Sequence, residues 1–72
     1  MDESERARKA LGEKLRKARE AAKLTQQEVA TAADVHVNFY ARIERGEENP
    51  SFEKLQAIMK ALNIPSLELF RS

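Results

Sequence analysis

The sequence predicts an all-α, compact five-helix chain, on three observations. Apolar residues recur at three- and four-residue steps, cap residues such as Thr25 and Ser51 precede those runs, and Gly46 and Pro65 close them. The first helix spans about 4–22: nothing from Ser4 to Ala22 breaks it, and Leu11, Leu15, Ala18 and Ala22 form one apolar stripe. On its exposed side Glu13 with Lys17, and Arg16 with Glu20, add about 0.2–0.5 kcal/mol each.

Leu24 then leaves the helix and enters the core. Thr25 caps a second helix, about 26–33, whose buried side is Val29, Ala30 and Ala33. Asp34, which tolerates left-handed backbone, suits the turn that follows. A third helix, about 37–45, sets Tyr40 and Ile43 one turn apart. Two short helices sharing one core read as a helix-turn-helix, the unit whose second helix enters the DNA major groove while the first crosses the backbone.

Gly46 stops the third helix, because the residue after a last turn often takes positive φ, which glycine adopts without steric cost. Glu47, Glu48, Asn49 and Pro50 form a loop. Ser51 caps a fourth helix, about 51–62, with Lys54 where a capping box would need Glu or Gln, so the cap is a simple one. Phe52, Leu55, Ile58, Met59 and Leu62 are its apolar face. Asn63 and Ile64-Pro65 end it, since proline disfavours helix in the residue before it. A last turn, about 66–70, is rich in apolar residues.

With 72 residues the chain makes one domain, 1–72, with one small core, burying about 60% of the surface its unfolded chain exposes. It has no cysteine, and its one histidine, His36, has no partner at ligand spacing, so neither metal nor cofactor is expected. No paired nucleophile and base and no glycine-rich phosphate loop appear, so an enzyme is not expected. The charged start, Met1 to Arg6, is no signal peptide, and no apolar run reaches the roughly 20 residues of a membrane span. A cytoplasmic protein without a membrane partner follows. Net charge is only +1, but Arg6, Arg8, Lys9, Lys14, Arg16, Lys17, Arg19 and Lys23 all precede the helix-turn-helix, a polarity suited to phosphates.

Together Arg19, Leu24-Thr25-Gln26, Val29-Ala30, Ile43-Glu44-Arg45-Gly46, Asn49-Pro50-Ser51, Leu55, Ala61-Leu62 and Leu67-Leu69-Phe70 resemble, in order, the lambda-repressor and Cro type (XRE family) of helix-turn-helix regulators. Small stand-alone members such as phage Cro proteins, restriction–modification controller proteins or antitoxin-like regulators are comparable in size. The resemblance implies a lambda-repressor-like domain that binds operator DNA as a homodimer, on palindromic half-sites roughly 34 Å apart. It implies a structural ion pair between Arg19 and Glu44. It also implies DNA contacts from Gln26 and Gln27 at the start of the second helix; from His36, Val37, Asn38, Phe39, Arg42 and Arg45 on the third; and from Asn49 in the loop. Asn38 suits bidentate pairing with adenine, and Arg42 a guanine edge or a phosphate. His36 either caps its helix or, when protonated, donates to phosphate.

Three features depart from the family pattern, and one is His36, where a serine cap is common. Val37 stands where a polar base reader is common, so it would pack on a thymine methyl, as Phe39 could. Glu47 and Glu48 stand where loops are often basic, which argues for modest non-specific affinity. Ile64, Leu67, Leu69 and Phe70 are the candidate dimer interface. No Gly-, Pro- or Ser-rich linker points to a second domain, so a stand-alone regulator is expected, with an isolated domain of a longer regulator as the alternative. The competing class is a protein-interaction or antitoxin-like module, for which Val37, Phe39 and Tyr40 supply apolar character. No residue pattern indicates a small-molecule effector.

Overall fold

The structure, a computed structural model, describes residues 2–65. These form α1 (Glu3–Ala21), α2 (Gln26–Ala32), α3 (Val37–Glu44) and α4 (Phe52–Ala61), with no strand among the described residues. The fold is all-α. The expected fifth helix, 66–70, lies outside the described residues, so the helix count there is four.

Every helix starts on a side-chain cap that satisfies an orphan N–H of the first turn. Asp2 Oδ1 accepts from the Glu5 amide at 2.8 Å, and Ser51 Oγ from that of Lys54 at 3.2 Å. Thr25 and Glu28 form a reciprocal capping box: Thr25 Oγ1 accepts from the Glu28 amide at 3.0 Å, while Glu28 Oε1 accepts from the Thr25 amide at 2.8 Å.

Every helix also ends the same way. The residues after the C-caps, Lys23, Asp34, Gly46 and Asn63, have φ of 60°, 57°, 75° and 57°. Each closes a Schellman pair of backbone bonds, as where Lys23 N–H reaches Glu20 O and Leu24 N–H reaches Arg19 O. Ala22, Ala33, Arg45 and Leu62, expected inside the helices, are therefore the C-caps.

The core is Leu15, Val29, Ala30, Ala33, Tyr40, Ile43, Ile58, Met59 and Leu62. Of the residues expected on apolar faces, Leu11, Ala18 and Leu55 are half-buried against this core, and two are exposed. Ala22 is exposed, because α1 has already ended there. Phe52 is 68% exposed: it begins α4 at the margin of the stripe, and α4 packs chiefly on α2 through its later turns. Meanwhile α3 packs on both α1 and α2. At the α1–α3 crossing Gly12 is buried, and a Cβ there would collide with the carbonyl oxygens of Ile43 and Glu44. Only glycine allows that approach.

Candidate nucleic-acid interface

A buried polar link sets the angle between α2 and α3. Glu44, whose side chain is 3% exposed, accepts from Arg19 Nε at 2.7 Å, Arg19 Nη2 at 3.1 Å and Gln26 Nε2 at 3.0 Å. Arg19 also donates to Leu24 O at 3.0 Å. One carboxylate thus ties the end of α1 and the start of α2 to the last turn of α3. Burial is the largest single influence on Glu44 and opposes its ionisation. Arg19, the adjacent Tyr40 hydroxyl and Gln26 together outweigh it and hold the carboxyl below the usual range. The Tyr40 hydroxyl sits in this cluster without a hydrogen bond of good geometry. Burial, then the interaction with the neighbouring Glu44 carboxylate, pushes its pKa well above the ordinary phenol value.

With the core taking Tyr40 and Ile43, the outward side of α3 carries His36, Asn38, Arg42 and Arg45. His36 is the α3 N-cap: its Nδ1 accepts from the Asn38 amide at 3.1 Å, so the ring proton belongs on Nε2, a donor facing away from the cap. Asn38 is exposed, and among the described residues no hydrogen bond holds its side chain. Val37 and Phe39 are half-buried against the core, and Lys54 Nζ lies 5.8 Å from the centre of the Phe39 ring. On α2, the Gln26 amide is engaged by Glu44, and Gln27 Nε2 donates to Thr31 Oγ1 at 3.0 Å, within its own helix. Asn49 is exposed in the loop ahead of Ser51. Ile64 packs against the core and closes α4, whereas Leu67, Leu69 and Phe70 lie outside the described residues.

The loop acids Glu47 and Glu48, unfavourable for phosphate by charge alone, each hold an arginine of the α3 end, which their charge does not reveal. Glu48 Oε2 accepts from Arg42 Nε at 3.2 Å, and Glu47 Oε1 from Arg45 Nε at 3.1 Å. The signal in the sequence is the acid pair directly beyond Gly46, close after Arg42 and Arg45. The basic run before the motif is also partly neutralised within the chain. Arg16 reaches Glu13 at 2.7 Å and Glu20 at 3.4 Å, and Lys17 reaches Glu13 at 3.8 Å. That run therefore offers less positive charge to phosphates than its residue count suggests.

The described residues hold no group of histidines, cysteines or acids that could bind a metal, and no helix among them is long and apolar enough to cross a membrane. The helix-turn-helix family model HTH_3 matches residues 15–69. Transcriptional regulator ClgR of Mycobacterium tuberculosis is 41% identical over 58 residues, 81% of this chain and 52% of that protein. The chain thus spans about half the length of the curated relatives it matches. Among solved structures, the restriction–modification controller protein C.AhdI from Aeromonas hydrophila aligns with a TM-score of 0.86 at 30% identity, covering 89% of this chain and 97% of that one. The clp gene regulator ClgR from C. glutamicum aligns with a TM-score of 0.81 at 32% identity, covering 86% and 80%.

Proposed function

The chain belongs to the helix-turn-helix family HTH_3, and from that premise we propose that it is a sequence-specific DNA-binding transcriptional regulator. It acts in the cytoplasm, where α3 enters the major groove of a palindromic operator bound by a homodimer. The observation that carries this reading is the outward edge of α3: Asn38 and Arg42 stand one turn apart and exposed or half-exposed, on a helix whose angle to α2 is locked by Glu44, Arg19 and Gln26. Asn38 reads adenine through its free amide, His36 Nε2 and Arg45 reach phosphates, and Arg42 reads a guanine edge. Gln27 and Asn49 contact the backbone on either side. Capped by Ser51, the ten-residue α4 adds unpaired first-turn N–H groups beside Asn49. The names of the aligned proteins, transcriptional regulator and controller protein, support the same assignment.

Dimerisation is assigned to Ile64, Leu67, Leu69 and Phe70. The rival reading, a protein-docking module, loses support here. It relied on Val37, Phe39 and Tyr40, yet Tyr40 is fully buried and the other two turn part of their surface inward.

The test is sedimentation of the protein with a duplex pool selected from random sequence, at two salt concentrations. A palindrome bound by two protomers, with affinity falling steeply as salt rises, is expected. Asn38→Ala should then lose about 10- to 100-fold of discrimination at one adenine position, with non-specific binding unchanged. Absence of any enriched sequence, with weak binding at low salt, would overturn the reading.

A further inference from the structure

The loop after α3 carries acids where a DNA-facing surface would gain from bases, and their geometry gives them a task. Arg42 is 44% and Glu48 34% exposed, so their pair stands at the water boundary and is readily exchanged for another anion. The bond to Glu48 runs through Nε, and among the described residues no other hydrogen bond holds this guanidinium. Its Nη1–Nη2 edge is therefore open, and that edge can span guanine O6 and N7. The backbone that carries Glu48 is positioned by the end of α3. Gly46 takes φ of 75°, and the Glu47 amide donates to Arg42 O at 2.8 Å, so the chain folds back beside Arg42.

Resting on the DNA-binding reading above, we propose that Glu48 is a specificity-determining positioning residue. It holds Arg42 by Nε so that the outer edge of the guanidinium addresses a guanine in the groove, and its charge opposes capture of the same arginine by a phosphate. A phosphate competes with Glu48 for Arg42, whereas a guanine edge binds without displacing it. Glu48 therefore weakens binding to arbitrary DNA more than binding to the operator. Glu47 differs: its partner Arg45 is the C-cap residue, at the far end of α3 from Asn38, and both side chains are 55% exposed.

The experiment compares wild type, Glu48→Gln, Glu47→Gln, Arg42→Ala and the double variant Arg42→Ala/Glu48→Gln. Each is titrated with the selected duplex and with a random duplex at several salt concentrations. Glu48→Gln should bind the random duplex about two- to fivefold tighter, the free-energy scale of one exposed pair. Its salt slope should steepen by about 0.9, one added phosphate contact, and its preference for the selected duplex should fall by a similar factor. Glu47→Gln should tighten both duplexes equally. In the Arg42→Ala background the Glu48 substitution should leave preference unaltered. An unchanged preference in Glu48→Gln, or a loss that persists without Arg42, overturns the proposal. If wild type binds neither duplex at low salt, the DNA-binding reading falls and this inference falls with it. That outcome is distinct from tight binding with unaltered preference.

Discussion

Replacing Arg19 by methionine isolates the buried link between the helices. Methionine keeps much of the apolar stem and removes the guanidinium, leaving the Glu44 carboxylate, 3% exposed, with Gln26 Nε2 as its remaining strong donor. Arg19 is itself only 15% exposed, so solvent screening does little to soften the loss. Stranding a buried charge in this way costs about 3–5 kcal/mol. At about 0.05–0.15 kcal/mol per residue, 72 residues supply about 4–11 kcal/mol in all. The thermal midpoint should therefore fall by about 12 °C or more. The pH dependence provides a sharper criterion. In wild type the Glu44 carboxyl is held below its unfolded value of about 4.3, so its contribution is complete above that value and is lost as pH falls through the lower, folded one. Without Arg19, burial dominates and lifts the folded value above the unfolded one, so acidification from pH about 7 towards 5 should stabilise the variant while wild type stays flat. Urea titrations across that range read both slopes. A loss under about 1 kcal/mol with the wild-type pH profile would refute the reasoning, since it would mean that Glu44 is hydrated in the folded state.

Two further substitutions probe the packing. Gly12→Ala should cost about 1–3 kcal/mol, because its Cβ would overlap backbone carbonyls of α3 rather than a yielding side chain; thermal melting measures it. Tyr40→Phe should change the urea midpoint by less than about 1 kcal/mol equivalent, since the hydroxyl it removes is buried without a good hydrogen bond. Because Tyr40 is the chain's one tyrosine, phenolate absorbance reports it alone. Its raised pKa means that its neutral form stabilises the fold below about pH 10, and that this contribution is lost as pH climbs above that value. The phenylalanine variant should lack that alkaline limb.

What the sequence determined by itself was whatever depends on near neighbours along the chain. Thr25 and Ser51 were legible as caps because a cap is chosen by the residue and the amides within its first turn. Gly46 and Asp34 were legible as stops because positive φ selects side chains locally. Asp2 caps α1 by the same local chemistry. Lys23 was not legible, since nothing in a lysine advertises φ of 60°; the Schellman closure and the burial of Leu24 impose it. The core residues of α2 and α3 followed from their spacing, but Ala22 and Phe52 did not. Periodicity defines a face, and only the crossing of helices decides how much of that face is covered. Resemblance rather than spacing suggested Arg19 and Glu44, 25 residues apart. Their burial, the share that Gln26 takes in them, the fit of Gly12 against α3 and the grip of Glu48 on Arg42 were decided by tertiary structure alone. Each depends on where two separate segments are brought by packing, and no local pattern encodes that distance.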